Sequence, residues 1–385
     1  MVTPPDASGF RIFGLSGEER LARSLAAAGC HDVRTVTASA PPEAPSDRQV
    51  VLVRADAVFD DRLVSALTRA RDTLLVSPGG EGAPVGACVP ARCMPEVLAA
   101  LASPSRSARV ASVRRVTPDA LVSPYDANLR KSEAPYLLDR VDPSDASAIE
   151  ERVFRGSYKG LTDLVTRWVW PSPALAVVRV LAARRIHPNT VTIASFALTL
   201  YAFFAFAGGA YVPGLIAAWA MTFLDTVDGK LARCTLTSSR LGNVLDHGLD
   251  LVHPPFWWFA WGVGLSDAQP VATAVVVGGY FAGRILEGLF LAVFRFETHS
   301  WRSLDGLFRT ITARRNPNLL LLSVGTLGGR PDLGLVMVAL WTCVSLVFHG
   351  ARLGQALAAR AHGDDVRPWD EASNAVLRPI PSTPA

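Results

Sequence analysis

The chain has 385 residues, room for two or three domains, with a formal charge of +4 and 50% hydrophobic residues. Its five cysteines, an odd number without a Cys-x-x-Cys pair, argue against a disulfide framework or a zinc site, and no basic patch is interleaved with aromatics as a nucleic-acid partner would require. Charges and prolines gather in residues 1 to about 150, whereas long apolar runs recur from Val191 onward, the pattern of a soluble head joined to a membrane body.

The opening "MVTPPDASGF" shows no basic segment followed by an apolar run, so a cleaved secretory signal is not expected and the head should stay in the cytoplasm. In the head, "FRIFGL", "DVRTVTA", "QVVLVRAD" and "DTLLVSP" read as short buried strands, with helix-like "EERLARSLAAAG" and "DDRLVSALTRA" between them. That alternation predicts an α/β domain over residues 1–143, built on a mainly parallel sheet covered by helices. Ser144 and Asp145 form a helix-start signal, and residues 144–190 then turn amphipathic, with Lys159, Arg167, Arg179, Arg184 and Arg185 set among Trp168, Trp170 and valines. This predicts a helix lying at a membrane surface; an ordinary linker helix is the plainer alternative.

Apolar spans follow at 191–209, 212–231, 243–265, 270–294, 317–328 and 332–351, against about 20 residues for one crossing. Lys230, Arg233 and Arg240 lie between the second and third spans, Arg295, Arg302, Arg309, Arg314 and Arg315 between the fourth and fifth, and Arg352 and Arg360 after the sixth. The alternate connections "GGAYVP", "SDAQ" and "GGRPD" hold one arginine, Arg330. The positive-inside rule then predicts an all-α polytopic membrane domain of six transmembrane helices over 191–355, both termini cytoplasmic, and a polar tail over 356–385.

The chemistry concentrates in "FLDTVDGKLARCTLTSSRLGNVLDHGLD". Asp225 and Asp228 are three apart and Asp246 and Asp250 four apart, so each pair projects from one helix face, and side-by-side packing of the second and third spans would join them in one pocket. Four close carboxylates in a low-dielectric site need a compensating cation, and hard oxygen donors suit Mg2+ or Mn2+ bridging to a substrate phosphate. Gly229, Ala232 and Gly242 keep that face free of bulk, and Arg233 adds a guanidinium fork matched to phosphate oxygens. Carboxylates, bare backbone and an arginine together describe a diphosphate site. A cation-coupled transporter is the competing reading, but it has no need of the small residues or the arginine.

The spacing Asp225-x2-Asp228-Gly229-x2-Ala232-Arg233-x8-Gly242-x3-Asp246-x3-Asp250 resembles, without departure, the signature of the CDP-alcohol phosphotransferase (CDP-alcohol phosphatidyltransferase) family, and "HPNTVT" at 187–192 resembles that family's entry to its first membrane helix. The resemblance covers about residues 150–355. It implies a membrane transferase of phospholipid biosynthesis in which a second alcohol displaces CMP from a CDP-alcohol with the help of a divalent metal. Carried onto this chain, it implies Asp225, Asp228 and Asp246 as metal ligands, Asp250 as general base also touching metal, and Asn189 and Thr192 on the nucleotide. A bacterial-type inner membrane is the expected location, a phosphatidyl donor the first expectation, and a CDP-polyol with a polyol-phosphate acceptor of the inositol-phosphate type the second.

The head resembles pieces of a sugar-phosphate cytidylyltransferase, but the glycine-rich loop that cradles a triphosphate is missing after its first strand, and Asp56 alone remains of the acidic machinery. A catalytically silent head is expected, with near-normal chemistry from a chain beginning near Ser144. Packing on the body or pairing two protomers would be its remaining value. For the acceptor, Arg284 lies in an apolar run beside Glu287, and Arg302, Arg309 and Arg314 lie in the basic loop; an ion pair and anionic lipid headgroups are the plain readings of these residues. His247 and His253 are expected to pack rather than bind metal.

Overall fold

The computed structural model describes residues 1–2, 9–36, 45–78, 82–102, 110, 113–126, 129–238 and 240–369, except for the side chains of residues 240–247, 249 and 250. Near the N-terminus, β1 (Arg11–Ile12) and β2 (Leu15–Ser16) form a hairpin whose turn places Phe13 and Gly14 at positive φ. Helix α1 (Gly17–Ala27) starts where Ser16 and Glu19 each bond the other's backbone amide, satisfying two of the amides a helix start leaves open.

The sheet is built from β3 (Gln49–Val53), β5 (Thr73–Val76), β6 (Pro84–Pro90) and β7 (Arg114–Val116), with β4 (Val58–Phe59) paired elsewhere. Its order is β3-β6-β5-β7, and β6 runs antiparallel to both neighbours, so only β5 and β7 are parallel. This corrects the expected mainly parallel sheet. The connection from β5 to β6 is too short for the crossover that a parallel neighbour requires, and "PVGACVP", held between prolines, does not read as a strand. "DVRTVTA" supplies among its described residues only an isolated bridge from Val36 to Val2.

Side chains alternate across the sheet. Val53, Leu75 and Cys88 face α1 and α2 (Asp61–Leu67), and Leu52, Leu74 and Ala87 face α3 (Met94–Ala102). After α4 (Pro118–Leu121) come a small hairpin, β8 (Tyr125–Asp126) and β9 (Lys131–Ser132), and then β10 (Leu137–Leu138), which pairs with β4.

The connecting region is not one amphipathic helix. It breaks into α5 (Ala146–Gly156), one π-helical turn (Val165–Val169) and α6 (Pro171–Ala183). The prolines at 171 and 173 explain the second break, since proline suits the first turn of a helix and not its interior.

The body contains α7 (Pro188–Ala207), α8 (Tyr211–Cys234), α9 (Arg240–Val263), α10 (Pro270–Phe294), α11 (Ser303–Arg309), α12 (Arg315–Leu327) and α13 (Pro331–Ala361). Each predicted span falls on one of these helices. By length and composition, α7, α10 and α13 are the described helices long and apolar enough to cross a membrane. Helix α12 has 13 residues, about 20 Å of rise against a hydrocarbon core of about 30 Å. The apolar side chains of these helices are not hidden within the protein: Ile193 is 70% exposed, Phe204 68% and Val347 72%, as surfaces that face lipid would be.

Head and body share one core. Phe10, Ile12 and Phe13 of the first hairpin pack with Val153 and Phe154 of α5, Val178 and Ala182 of α6, and Val227 and Leu231 of α8. A methyl group on Gly14 would press on the Ala182 carbonyl, so the turn that carries it is seated directly on α6.

Candidate functional site

Helix α8 carries Asp225 and Asp228 toward the junction between head and body. Asp228 is buried and accepts a hydrogen bond of 2.7 Å from the Thr192 hydroxyl of α7. Asp225 accepts one of 2.6 Å from the guanidinium of Arg315, at the start of α12. The same helix end is locked to the connecting region by Lys230, which lies over the Tyr158 ring and donates to the Ser157 carbonyl at 3.1 Å. A β-carbon on Gly229 would lie 3.2 Å from the Arg233 guanidinium, so the glycine keeps space for that side chain.

Two cavities meet at this junction. The first, about 680 Å³, is lined by Asn189, Thr192, Asp228, Gly229, Ala232 and Arg233 from the body. Its opposite wall comes from the head, including Arg20, Arg62, Arg130 and Lys131. The second, about 550 Å³, holds Arg284, Arg309 and Arg314 of the predicted acceptor set, with Arg315 and Glu287. Arg302 is not brought there: it is exposed and lies over the Trp301 ring, 4.4 Å from its centroid. Asp246, Asp250 and Gly242 are on α9, and their side chains lie outside the described residues.

The second cavity is lined by more basic side chains than acidic ones, its carboxylates being Asp163, Glu287 and Glu297. Glu287 accepts from Arg314 at 2.5 Å, from Arg284 at 2.9 Å, and has the His299 ring nitrogen at 3.2 Å. The plain expectation of an Arg284–Glu287 pair is thus realised, yet one carboxylate serves two guanidiniums, with a third, Arg309, nearby. Burial, followed by the field of Arg314, pushes Arg309 down to about 9. Burial pushes His299 down to about 3, so its ring is neutral at physiological pH. The donor atoms of Glu287, His299 and His349 lie within 4.8 Å of one another. With Arg284 and Arg314 already on that carboxylate, the surroundings disfavour a further cation and favour an anion.

Asp225 and Asp228 fit a divalent metal by chemistry, being hard oxygen donors three apart on one helix face. His253 instead packs edge-on against Trp257, with ring centroids 4.7 Å apart. Sequence reasoning missed the partnership of Arg315 with Asp225, the role of His299 beside Glu287, and the head residues of the first cavity. Only Arg315 left a trace, as part of the basic loop. In the head, Asp56 is held by Arg54, with Nη2 at 2.5 Å, and Arg54 also meets Asp139 at 3.1 Å. Its carboxylate is spent on a buried ion pair.

Residues 185–306 match the family model for CDP-alcohol phosphatidyltransferase. The archaetidylinositol phosphate synthase of Pyrococcus horikoshii is 25% identical over 176 residues, which is 46% of this chain and 87% of that relative.

Proposed function

We propose that this chain, a CDP-alcohol phosphotransferase carrying a domain of the CDP-alcohol phosphatidyltransferase family, transfers a phosphatidyl group from a CDP-linked lipid to the hydroxyl of a phosphorylated polyol, releasing CMP. The observation that carries the acceptor assignment is the arginine cluster of the second cavity, where Arg284 and Arg314 share the Glu287 carboxylate and Arg309 lines the same cavity, next to the aspartate helix. Guanidiniums in excess of acid, partly desolvated, suit a phosphate dianion better than a neutral alcohol. The name of the archaeal relative points to the same acceptor class.

In this reading the cytidine diphosphate lies in the first cavity, along Asn189, Thr192, Gly229, Ala232, Arg233 and Gly242. Asp225, Asp228, Asp246 and Asp250 would hold Mg2+ or Mn2+, and such an ion, when bound, would supply positive charge against the diphosphate. Asp250 takes the proton from the acceptor hydroxyl, whose oxygen bonds to the lipid-side phosphorus as the bond from that phosphorus to the CMP oxygen breaks. Six crossings with both ends on the cytoplasmic side would set this chemistry at the membrane surface, where a lipid donor's tails stay in the bilayer.

The test is CMP release by the purified protein with CDP-diacylglycerol, comparing inositol phosphate and glycerol phosphate with the unphosphorylated polyols. The proposal expects release only with a phosphorylated acceptor, and Arg309→Ala and Arg314→Ala should raise its KM. Equal use of free and phosphorylated polyols would remove the acceptor assignment.

A further inference from the structure

We propose that the head is part of the transfer site, and that its β8–β9 hairpin delivers Arg130 to bind the phosphate that moves between the two cavities. This rests on the transferase reading above. Arg130 and Lys159 line both cavities, whereas the other described lining residues belong to one or the other. Asp228 borders the first cavity and Arg315, the partner of Asp225, the second, so the passage between them runs beside the aspartate helix. A phosphate transferred from a donor in one cavity to an acceptor in the other must cross that boundary. A cation fixed there meets the negative charge where the equatorial oxygens carry it.

The hairpin is fixed in place. Lys131 donates to the Gly156 carbonyl at 2.7 Å, and Gly160 donates its amide to the Leu129 carbonyl at 2.8 Å. Any side chain on Gly160 would fall onto the Arg130 carbonyl, so this glycine is the seat on which the turn rests. On the head side, Arg62 reaches the carbonyls of Pro124 and Glu133 at the base of the hairpin. Arg130 itself is at φ +52°, in the left-handed region, and its guanidinium pairs with Glu297 beyond α10. Both partners keep about a third of their side-chain surface, 29% and 37%, so an incoming phosphate can reach the guanidinium.

Full-length Arg130→Ala, Arg130→Lys and Glu297→Gln proteins are compared with the natural protein in two measurements. In steady-state CMP release, Arg130→Ala should lose roughly tenfold to a hundredfold in kcat/KM, mostly in kcat, with partial rescue by lysine. Glu297→Gln, which removes the partner charge and leaves the guanidinium in place, should lose far less than Arg130→Ala. In equilibrium binding with Mg2+ present, the natural protein should hold CDP more tightly than CMP, and Arg130→Ala should abolish that difference. Equal losses in Arg130→Ala and Glu297→Gln would mean a mechanical clamp and overturn the proposal, as would an unchanged preference for CDP over CMP. Failure of the natural protein to release CMP would count against the transferase reading alone, because the comparison of CDP with CMP still decides the role of Arg130.

Discussion

At the level of single residues, the site is held by partners far away in sequence. Arg315 reaches Asp225 across 90 positions and Thr192 reaches Asp228 across 36. The helical spacing of the aspartates is visible in the chain because it repeats within two turns, whereas no periodicity announces which arginine will lie beside which acid. Asp225→Asn and Asp228→Asn should weaken metal-dependent nucleotide binding, read by titration of CDP with and without Mg2+. Asp250→Asn should weaken that affinity less than either of these and chiefly lower kcat, by about two to four orders of magnitude, the usual range for loss of a general base. If nucleotide affinity collapses equally in all three with no separate effect on turnover, Asp250 is not the base. Arg315→Ala removes a charge-assisted bond worth about 1.5–3 kcal/mol, so CMP release should fall by about tenfold or more.

Among the elements, the end of α8 shows how a head helix supports the site. The last carbonyls of a helix lack partners within it. Here Arg20 of α1 donates to the Cys234 carbonyl at 2.8 Å and Arg23 to that of Thr235 at 2.6 Å. Arg20 is only 6% exposed, so Arg20→Ala leaves a buried acceptor unmet and should cost roughly 1–3 kcal/mol, measured as a lower unfolding midpoint in detergent. The loop after α10 gives a pH signature. His299 stays neutral in the folded protein down to about pH 3, against an ordinary value of 6.5. The unfolded chain therefore binds a proton that the folded protein refuses, and stability should fall as pH drops from about 6.5 toward 3, by up to about 1.4 kcal/mol per pH unit. His299→Gln should flatten that slope; an unaltered slope would place the titration elsewhere. Helices α1, α2, α7 and α10 were legible because apolar periodicity or long apolar runs mark them directly. Strand direction in the head was not, because it depends on which strands pair and on the length of the links between them.

For the whole molecule, the sequence shows the division into head and body clearly and gives no sign that they are joined. Phe10, Ile12 and Phe13 lie 165 to 221 positions from Val178, Ala182, Val227 and Leu231, with which they pack, and a contact of that range leaves no local pattern. A chain beginning near Ser144 would strip this core from α5, α6 and α8 and remove one wall of the first cavity. Against the expectation from sequence of near-normal chemistry, its yield of folded protein and its CMP release should both collapse. Ion-paired Asp56 leaves the expectation of a silent cytidylyltransferase in place, so the intact protein should release no pyrophosphate from CTP with a polyol phosphate. The most direct test of the account as a whole is product stoichiometry in purified protein given CDP-diacylglycerol, Mg2+ and inositol phosphate. One CMP released for each phosphodiester lipid formed, both abolished by chelation of the metal, is the predicted result; solute movement across sealed vesicles with neither product formed would contradict it.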